Sequence, residues 1–337
     1  MNSKISAISS FLPENRLSNE DLAALFDDWS AEKIFKKTGI RERAIASADQ
    51  TAGDLAACAA EKLFSEHSIA PESIDFLIFC TQSPDYFLPT TACVIHRRLG
   101  LRSNAGAIDV NQGCSGFVYS LSLAKGLIAS GSASRVLILT ADTYSKYIHP
   151  RDKSVRTLFG DAGAAVVVDA AAAESASRIG SFVFGTDGAG ACNLIVPTGG
   201  ARQGRSAASA VEVEDQSGNI RTGDNLYMNG SEIMSFTLGT VPAAIRQLEG
   251  VTGTSLDACD YVVMHQANAF MLEALRKKLA VPPERFPLRL EQFGNTVSST
   301  IPLVLAPLVR EQGGSGKLAV LVGFGVGYSW AACHVWL

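Results

Sequence analysis

No stretch of this sequence approaches 18 consecutive uncharged apolar residues, which excludes a membrane-spanning helix. The most apolar window, Ala162 to Ala173, is short and is interrupted by Asp169. The opening Met1-Asn2-Ser3-Lys4-Ile5-Ser6 has no long apolar run, so no signal peptide is expected. Excess positive charge is missing as well: 29 Lys and Arg stand against 33 Asp and Glu. The net charge of −4 argues against a general nucleic-acid binder. The seven cysteines (58, 80, 93, 114, 192, 259 and 333) include no CxxC pair and are odd in number. That usage disfavours a disulfide framework or a zinc site and fits a reducing compartment. What is abundant is apolar: 47% hydrophobic residues with 18% charged ones describe a globular chain. The expectation is a cytoplasmic protein with no membrane segment, no metal and no cofactor, long enough at 337 residues for two ordinary domains.

The two domains are written as near-copies. Ile74-Asp75-Phe76-Leu77-Ile78-Phe79-Cys80-Thr81-Gln82 reads as an apolar strand entered through an Asp, and Cys259-Asp260-Tyr261-Val262-Val263-Met264-His265-Gln266 repeats it. Asp75 and Asp260 are offset by 185 positions, Gly113-Cys114 and Gly294-Asn295 by 181, and the late strands at Arg135–Leu139 and Lys317–Leu321 by 182. Three segments in one order at nearly constant offset argue for duplication of an α/β unit. The expected halves are residues 1–172, carrying the Cys, and 173–337, carrying the His and Asn.

Periodicity predicts strands at Ile5–Phe11, Phe76–Thr81, Ala105–Val110 and Val136–Thr140, with helices at Thr51–Ser65 and Thr91–Leu99. Cys114 to Ser130 is small and apolar nearly all round and reads as a buried helix. Gly160-Asp161-Ala162-Gly163 leads into a buried valine strand. The second half predicts helices Gly230–Leu248, Phe270–Leu279 and Thr300–Gln312 around strands Tyr261–Met264 and Leu318–Val322. A glycine-rich turn, Phe324 to Gly327, then opens a last strand. Strands separated by helices favour parallel βαβ units. Thr198 to Asp224, rich in Gly, Ser, Ala and charge, reads as a loop and as the linker between the halves.

Most cysteines in an apolar chain are small core residues. Cys114 stands apart because Gly113-Cys114-Ser115-Gly116 follows a strand and opens a buried helix. The positive end of a helix dipole favours a nucleophilic thiolate. His265 leaves the end of an apolar strand, the edge where α/β sheets bind ligands. Asn295 follows Gly294 at the point where the other half has its Cys; taken alone, that pair is a turn.

Together, Asn111-Gln112-Gly113-Cys114-Ser115-Gly116-Phe117, His265-Gln266-Ala267-Asn268 and Gly294-Asn295-Thr296 resemble the three active-site motifs of β-ketoacyl-acyl-carrier-protein synthase III. Thr38-Gly39-Ile40-Arg41-Glu42-Arg43, Phe159-Gly160-Asp161 and Phe324-Gly325-Val326-Gly327 extend the likeness over essentially the whole chain. The resemblance implies the duplicated thiolase-like α/β fold, with two pseudo-symmetric βαβαβ halves, mostly parallel sheets and buried helices between them. It implies a decarboxylating Claisen condensation: Cys114 takes an acyl group from an acyl-coenzyme A or acyl-carrier thioester. The backbone N–H of Cys114 and one from the turn at Val326 would form the oxyanion hole. His265 and Asn295 would stabilise the enolate left when malonyl-acyl-carrier protein loses carbon dioxide. Phe324, Phe159 and Leu88 would line an acyl pocket, and Tyr86-Phe87-Leu88-Pro89 would reach a partner in a homodimer.

Departures from the family pattern sit at the substrate mouth. Lys33 stands where the family places a Trp that stacks on adenine, and Lys37 and Lys153 stand where it has Arg. Phe270 replaces an Arg, and Val326 replaces a Gly. Lysines contact phosphate as point charges, without a planar fork. These changes imply a specialised enzyme that prefers a carrier-bound donor, with Arg276, Lys277 and Lys278 as further basic contacts; a solvated helix end is an equal reading of those three. Alternatives are a thiolase-fold acyltransferase using an amine or hydroxyl acceptor, and a non-catalytic partner subunit. A Cys-His-Asn hydrolase has the right chain order but lacks the Cys context.

Overall fold

Asp75 and Asp260 perform one task in two places. The Asp75 carboxylate accepts the backbone N–H groups of Ser134 and Arg135 at 2.8 and 3.0 Å. The Asp260 carboxylate accepts the N–H of Leu318 at 2.9 Å and the Lys317 ammonium at 2.8 Å. Each acid thus clasps the start of the neighbouring strand, and this is why the motif recurs. The computed structural model describes residues 2–26, 28–172, 175, 178–311 and 316–337.

The first sheet contains β1 (Asn2–Phe11), β2 (Phe76–Cys80), β3 (Gly106–Val110), β4 (Arg135–Asp142) and β5 (Ala162–Ala171), in the order β1-β5-β4-β2-β3. β5 is antiparallel to both neighbours, so the other four strands share one direction. The second sheet contains β6 (Arg178–Thr186), β7 (Tyr261–Met264), β8 (Leu318–Gly325) and β9 (Ser329–Trp336), in the order β7-β8-β9-β6. Here β9 alone opposes the rest. The order matches the first sheet strand for strand, and among the described residues nothing takes the place of β3.

The longer helices are α1 (Ala31–Thr38), α2 (Ala52–His67), α3 (Thr91–Arg98), α4 (Gly116–Ala129), α5 (Gly230–Thr252), α6 (Ala269–Lys278) and α7 (Thr300–Glu311). α4 and α7 lie between the sheets: Phe117, Val118 and Leu121 of α4 and Ile301, Val304 and Leu305 of α7 share one core with Ile138, Val166, Val263 and Leu321. That position explains why α4 is apolar all round. α2 and α3 cover the outer face of the first sheet, and α5 and α6 that of the second. Gln312, expected at the end of α7, and Ala173, expected to open the second half, lie outside the described residues.

One expectation is corrected. β6 belongs to the second sheet and precedes Thr198–Asp224, so that segment does not link the halves. It is an excursion within the second, tied back to the first by Arg221–Asp152 at 3.0 Å and by the Ile220 N–H on the Arg151 carbonyl at 3.2 Å.

Candidate active site

Three strand ends and one segment before a helix deliver the site. The turn after β3 brings Cys114, the end of β7 brings His265, the segment before α7 brings Asn295, and β8 runs into Phe324-Gly325-Val326. Cys114, His265 and Asn295 are all buried. They line one cavity of about 70 Å³ with Phe159, Phe324 and Gly325. The duplication therefore places the nucleophile candidate of one half against the polar pair of the other.

Cys114 precedes α4 by two residues, with Ser115 at the helix cap. The expected thiolate is not favoured: burial, and next the Asp142 carboxylate, push the thiol up to about 12. Desolvation here outweighs a dipole that begins beyond the sulfur. Two backbone N–H groups, from Val326 and Cys114 itself, act in the opposite sense on the sulfur. Val326 is not among the non-glycine residues with positive φ, so a side chain is tolerated where the family pattern has Gly. Gly325 has no such latitude, because a Cβ there would lie 2.9 Å from both Cβ and Sγ of Cys114.

Asn295 is sewn to the other half. Its N–H donates to the Leu158 carbonyl at 2.9 Å, and its carbonyl accepts from Gly160 at 3.0 Å. Gly294 beside it has φ +75°, and a Cβ would lie 2.7 Å from the Leu158 carbonyl oxygen. The Asn295 side-chain oxygen accepts the Val297 N–H at 2.9 Å, leaving the amide N–H₂ for the cavity.

His265 packs edge-on to Phe324, with ring centroids 5.6 Å apart. Burial pulls its imidazole down to about 3, so it is neutral at physiological pH. Nδ1 lies 2.7 Å from the Thr300 hydroxyl, which is 3.0 Å from the Val297 carbonyl. That hydroxyl has one proton and two neighbours. Given to Nδ1, it leaves Nε2–H as a donor; given to Val297, it leaves Nε2 an acceptor.

The remaining candidates separate. Leu88 lines neither cavity of its own chain and is 86% exposed, next to Phe87 at 89%. Lys33, Lys37 and Lys153 converge on Asp28-Trp29. Lys33 and Lys37 stand 5.5 and 4.9 Å from the indole centroid, and Lys153 pairs with the Asp28 carboxylate at 2.8 Å. Lys153 is thus largely neutralised in place. Trp29 stands in a loop, four residues ahead of Lys33, where the family pattern places its indole. Arg276 is held by Glu273 at 2.6 Å and donates to the Val281 carbonyl, so it staples the end of α6; Lys277 shares Glu273 at 3.5 Å. Lys278 lies exposed at the same helix end, and Phe270 at its start is 66% exposed.

A second cavity, of about 390 Å³, opens beyond Val326 and shares Leu194 with the first. Its walls include Gln82, Tyr144, Tyr147 and Leu226. No sequence motif joins these residues, which come from three separate segments. Among the described residues there is no His, Cys, Asp and Glu group that could hold a metal. Nor is any helix there long and apolar enough to cross a membrane.

Known proteins share this architecture. Residues 108–188 match the family of 3-oxoacyl-[acyl-carrier-protein] synthase III, and residues 251–336 match its C-terminal part. A beta-ketoacyl-[acyl-carrier-protein] synthase III from Halalkalibacterium halodurans is 37% identical over 333 residues, covering 97% of this chain and 94% of the relative. A solved 3-oxoacyl-(acyl-carrier-protein) synthase III is 55% identical and covers 100% of both chains at a TM-score of 0.97. One from Burkholderia xenovorans is 37% identical, covers 99% of this chain and 94% of its own, and has a TM-score of 0.90. Spanning both halves, these matches show that the chain belongs to the 3-oxoacyl-[acyl-carrier-protein] synthase III family, acyltransferase-type ketosynthases on a thiolase-like fold.

Proposed function

We propose that the condensation runs through Cys114, with His265 and Asn295 holding the enolate. The Cys114 sulfur attacks an acyl thioester from coenzyme A or a carrier protein; the carrier thiol leaves and an acyl-Cys remains. Malonyl-acyl-carrier protein then loses carbon dioxide, and the bonding electrons move onto its thioester oxygen. The Asn295 amide and Nε2–H of His265 donate to that oxygen. The resulting carbon attacks the acyl-Cys carbonyl, whose oxygen is held by the N–H groups of Val326 and Cys114. Collapse releases a 3-oxoacyl thioester and the Cys114 thiolate, which takes a proton from water. The thioesters supply all the bonds, so the step uses no cofactor.

The observation that carries this reading is the pairing of two donor sets in one buried cavity: two backbone N–H groups at the sulfur, and an Asn amide whose oxygen is already tied. Incubation with acyl thioesters should add one acyl mass to the intact protein. Cys114→Ala should abolish that adduct, and persistence of the adduct would overturn the assignment.

The same reading includes a homodimer. β3 is a sheet edge with Ile108 39% exposed, and Tyr86, Phe87 and Leu88 form an apolar loop on the same half. Uncovered edges and apolar patches of this kind mark association surfaces. Leu88→Asp should shift sedimentation towards the monomer at micromolar concentration. A monomeric parent protein would refute the dimer. The cytoplasm, where the thiol stays reduced, is the matching compartment.

A further inference from the structure

The cavity beyond Val326 is walled mainly by aliphatic side chains: Ala191, Leu194, Ile195, Val196, Leu226 and Val326. Such walls suit an alkyl chain. Gln82, Asn111 and two phenols interrupt them, and Gln82 is held at almost every atom that can bond. Its N–H donates to Asp142 at 2.8 Å, and its backbone carbonyl accepts the Tyr147 hydroxyl at 3.3 Å. Its side-chain oxygen accepts the Tyr144 hydroxyl at 2.6 Å. Only Nε2 is left over, and among the described residues it has no partner. This amide also lies close to the nucleophile. A Cβ built on Gly113, the residue before Cys114, would collide with Gln82 Oε1 and would lie 2.8 Å from Val326 Cγ1.

Among these polar groups Gln82 is the one held by several bonds, and a polar group fixed this firmly on a largely aliphatic wall selects for a complement. A purely alkyl chain would bury the amide N–H groups unpaired, whereas an oxygen on the chain would satisfy them. Resting on the proposed acylation of Cys114, we infer that this cavity receives an acyl group bearing a hydroxyl or keto oxygen a few carbons from the thioester, and that the Gln82–Tyr144 pair selects it. The methylenes before and after that oxygen lie against Leu194, Leu226 and Val326.

The test compares matched four- and six-carbon acyl groups, plain and carrying a hydroxyl or keto oxygen at carbon 3 or, in the six-carbon chain, at carbon 5. Each is presented on coenzyme A and on acyl carrier protein, and the rate of Cys114 acylation is followed by intact mass. The oxygenated member of a pair should acylate about 10- to 100-fold faster. Gln82→Leu should remove that preference. Gln82→Glu keeps an acceptor for Tyr144 but has no N–H, and should remove it too; Tyr144→Phe, which frees the amide, should weaken it. Equal rates for plain and oxygenated chains in the parent protein, or a preference unchanged in Gln82→Glu, would overturn the inference while leaving acylation of Cys114 standing. Absence of any adduct would remove both readings together.

Discussion

Val297, with φ +54°, gives its backbone N–H to the side-chain oxygen of Asn295 at 2.9 Å. A β-branched residue in the left-handed region carries strain of about 1–3 kcal/mol, and such strain persists only where the surroundings hold it. Val297 is held because both its polar atoms are engaged: its N–H orients Asn295, and its carbonyl faces the Thr300 hydroxyl and His265. Asn295→Asp preserves the oxygen that meets Val297 and replaces the amide donors by a second, negative oxygen. Decarboxylation of malonyl thioester should fall by roughly 100- to 1,000-fold. Acylation of Cys114, followed by mass, should persist. Unimpaired decarboxylation would remove Asn295 from the enolate site.

The proposed enolate site requires the Thr300 hydroxyl to give its proton to His265 Nδ1, so that Nε2–H is the donor. Thr300→Ser retains the hydroxyl 2.7 Å from Nδ1, and Thr300→Val removes it. Nδ1 then has only the Val297 carbonyl to bond, which requires Nδ1–H and leaves Nε2 bare. Decarboxylation should drop by about 100-fold in the Val variant and stay near the parent rate in the Ser variant. Equal rates in both would show that Nε2 donates nothing.

The resting thiol should behave as an ordinary buried one. With Cys114 pushed up to about 12, alkylation by a small reagent should rise from pH 6 without a plateau up to pH 9, at about tenfold per pH unit below pH 7. Asp142 adds curvature. Burial raises its carboxyl to about 7, so its negative charge develops through neutral pH and opposes the thiolate only above it. The rise should therefore be shallower above pH 7 than below. Asp142→Asn should remove that bend, and a plateau below pH 8 would contradict the high thiol pKa.

Gly325→Ala places a methyl group 2.9 Å from the Cys114 sulfur. Acylation should fall by about 100-fold through displacement of the nucleophile, with the circular dichroism spectrum unchanged. Acylation at the parent rate would mean that the turn yields to the methyl group.

Local sequence revealed what is built locally. Asp75 and Asp260 mark strand entry because each bonds the chain beside it, and the apolar run of α4 announced a helix buried between sheets. Thr198–Asp224 misled, because its Gly, Ser and Ala content suits a linker while its place is fixed by distant partners such as Asp152 and Arg151. The thiol misled for a related reason: helix position is written in sequence, whereas the burial of Cys114 and the charge of Asp142 come from the assembled fold. Gln82 and Tyr144 are 62 positions apart and meet only across the strand ends, so no motif could pair them.

The bonds from Asn295 to Leu158 and Gly160 make the spacing between amide and thiol a property of the seam joining the halves. Slippage along that seam would part them while each sheet still kept its own ladder. On warming, turnover should therefore fail at a lower temperature than the far-ultraviolet signal, and inactivation should at first be reversible on cooling. The catalytic centre would then serve as a built-in thermometer of docking between the two halves.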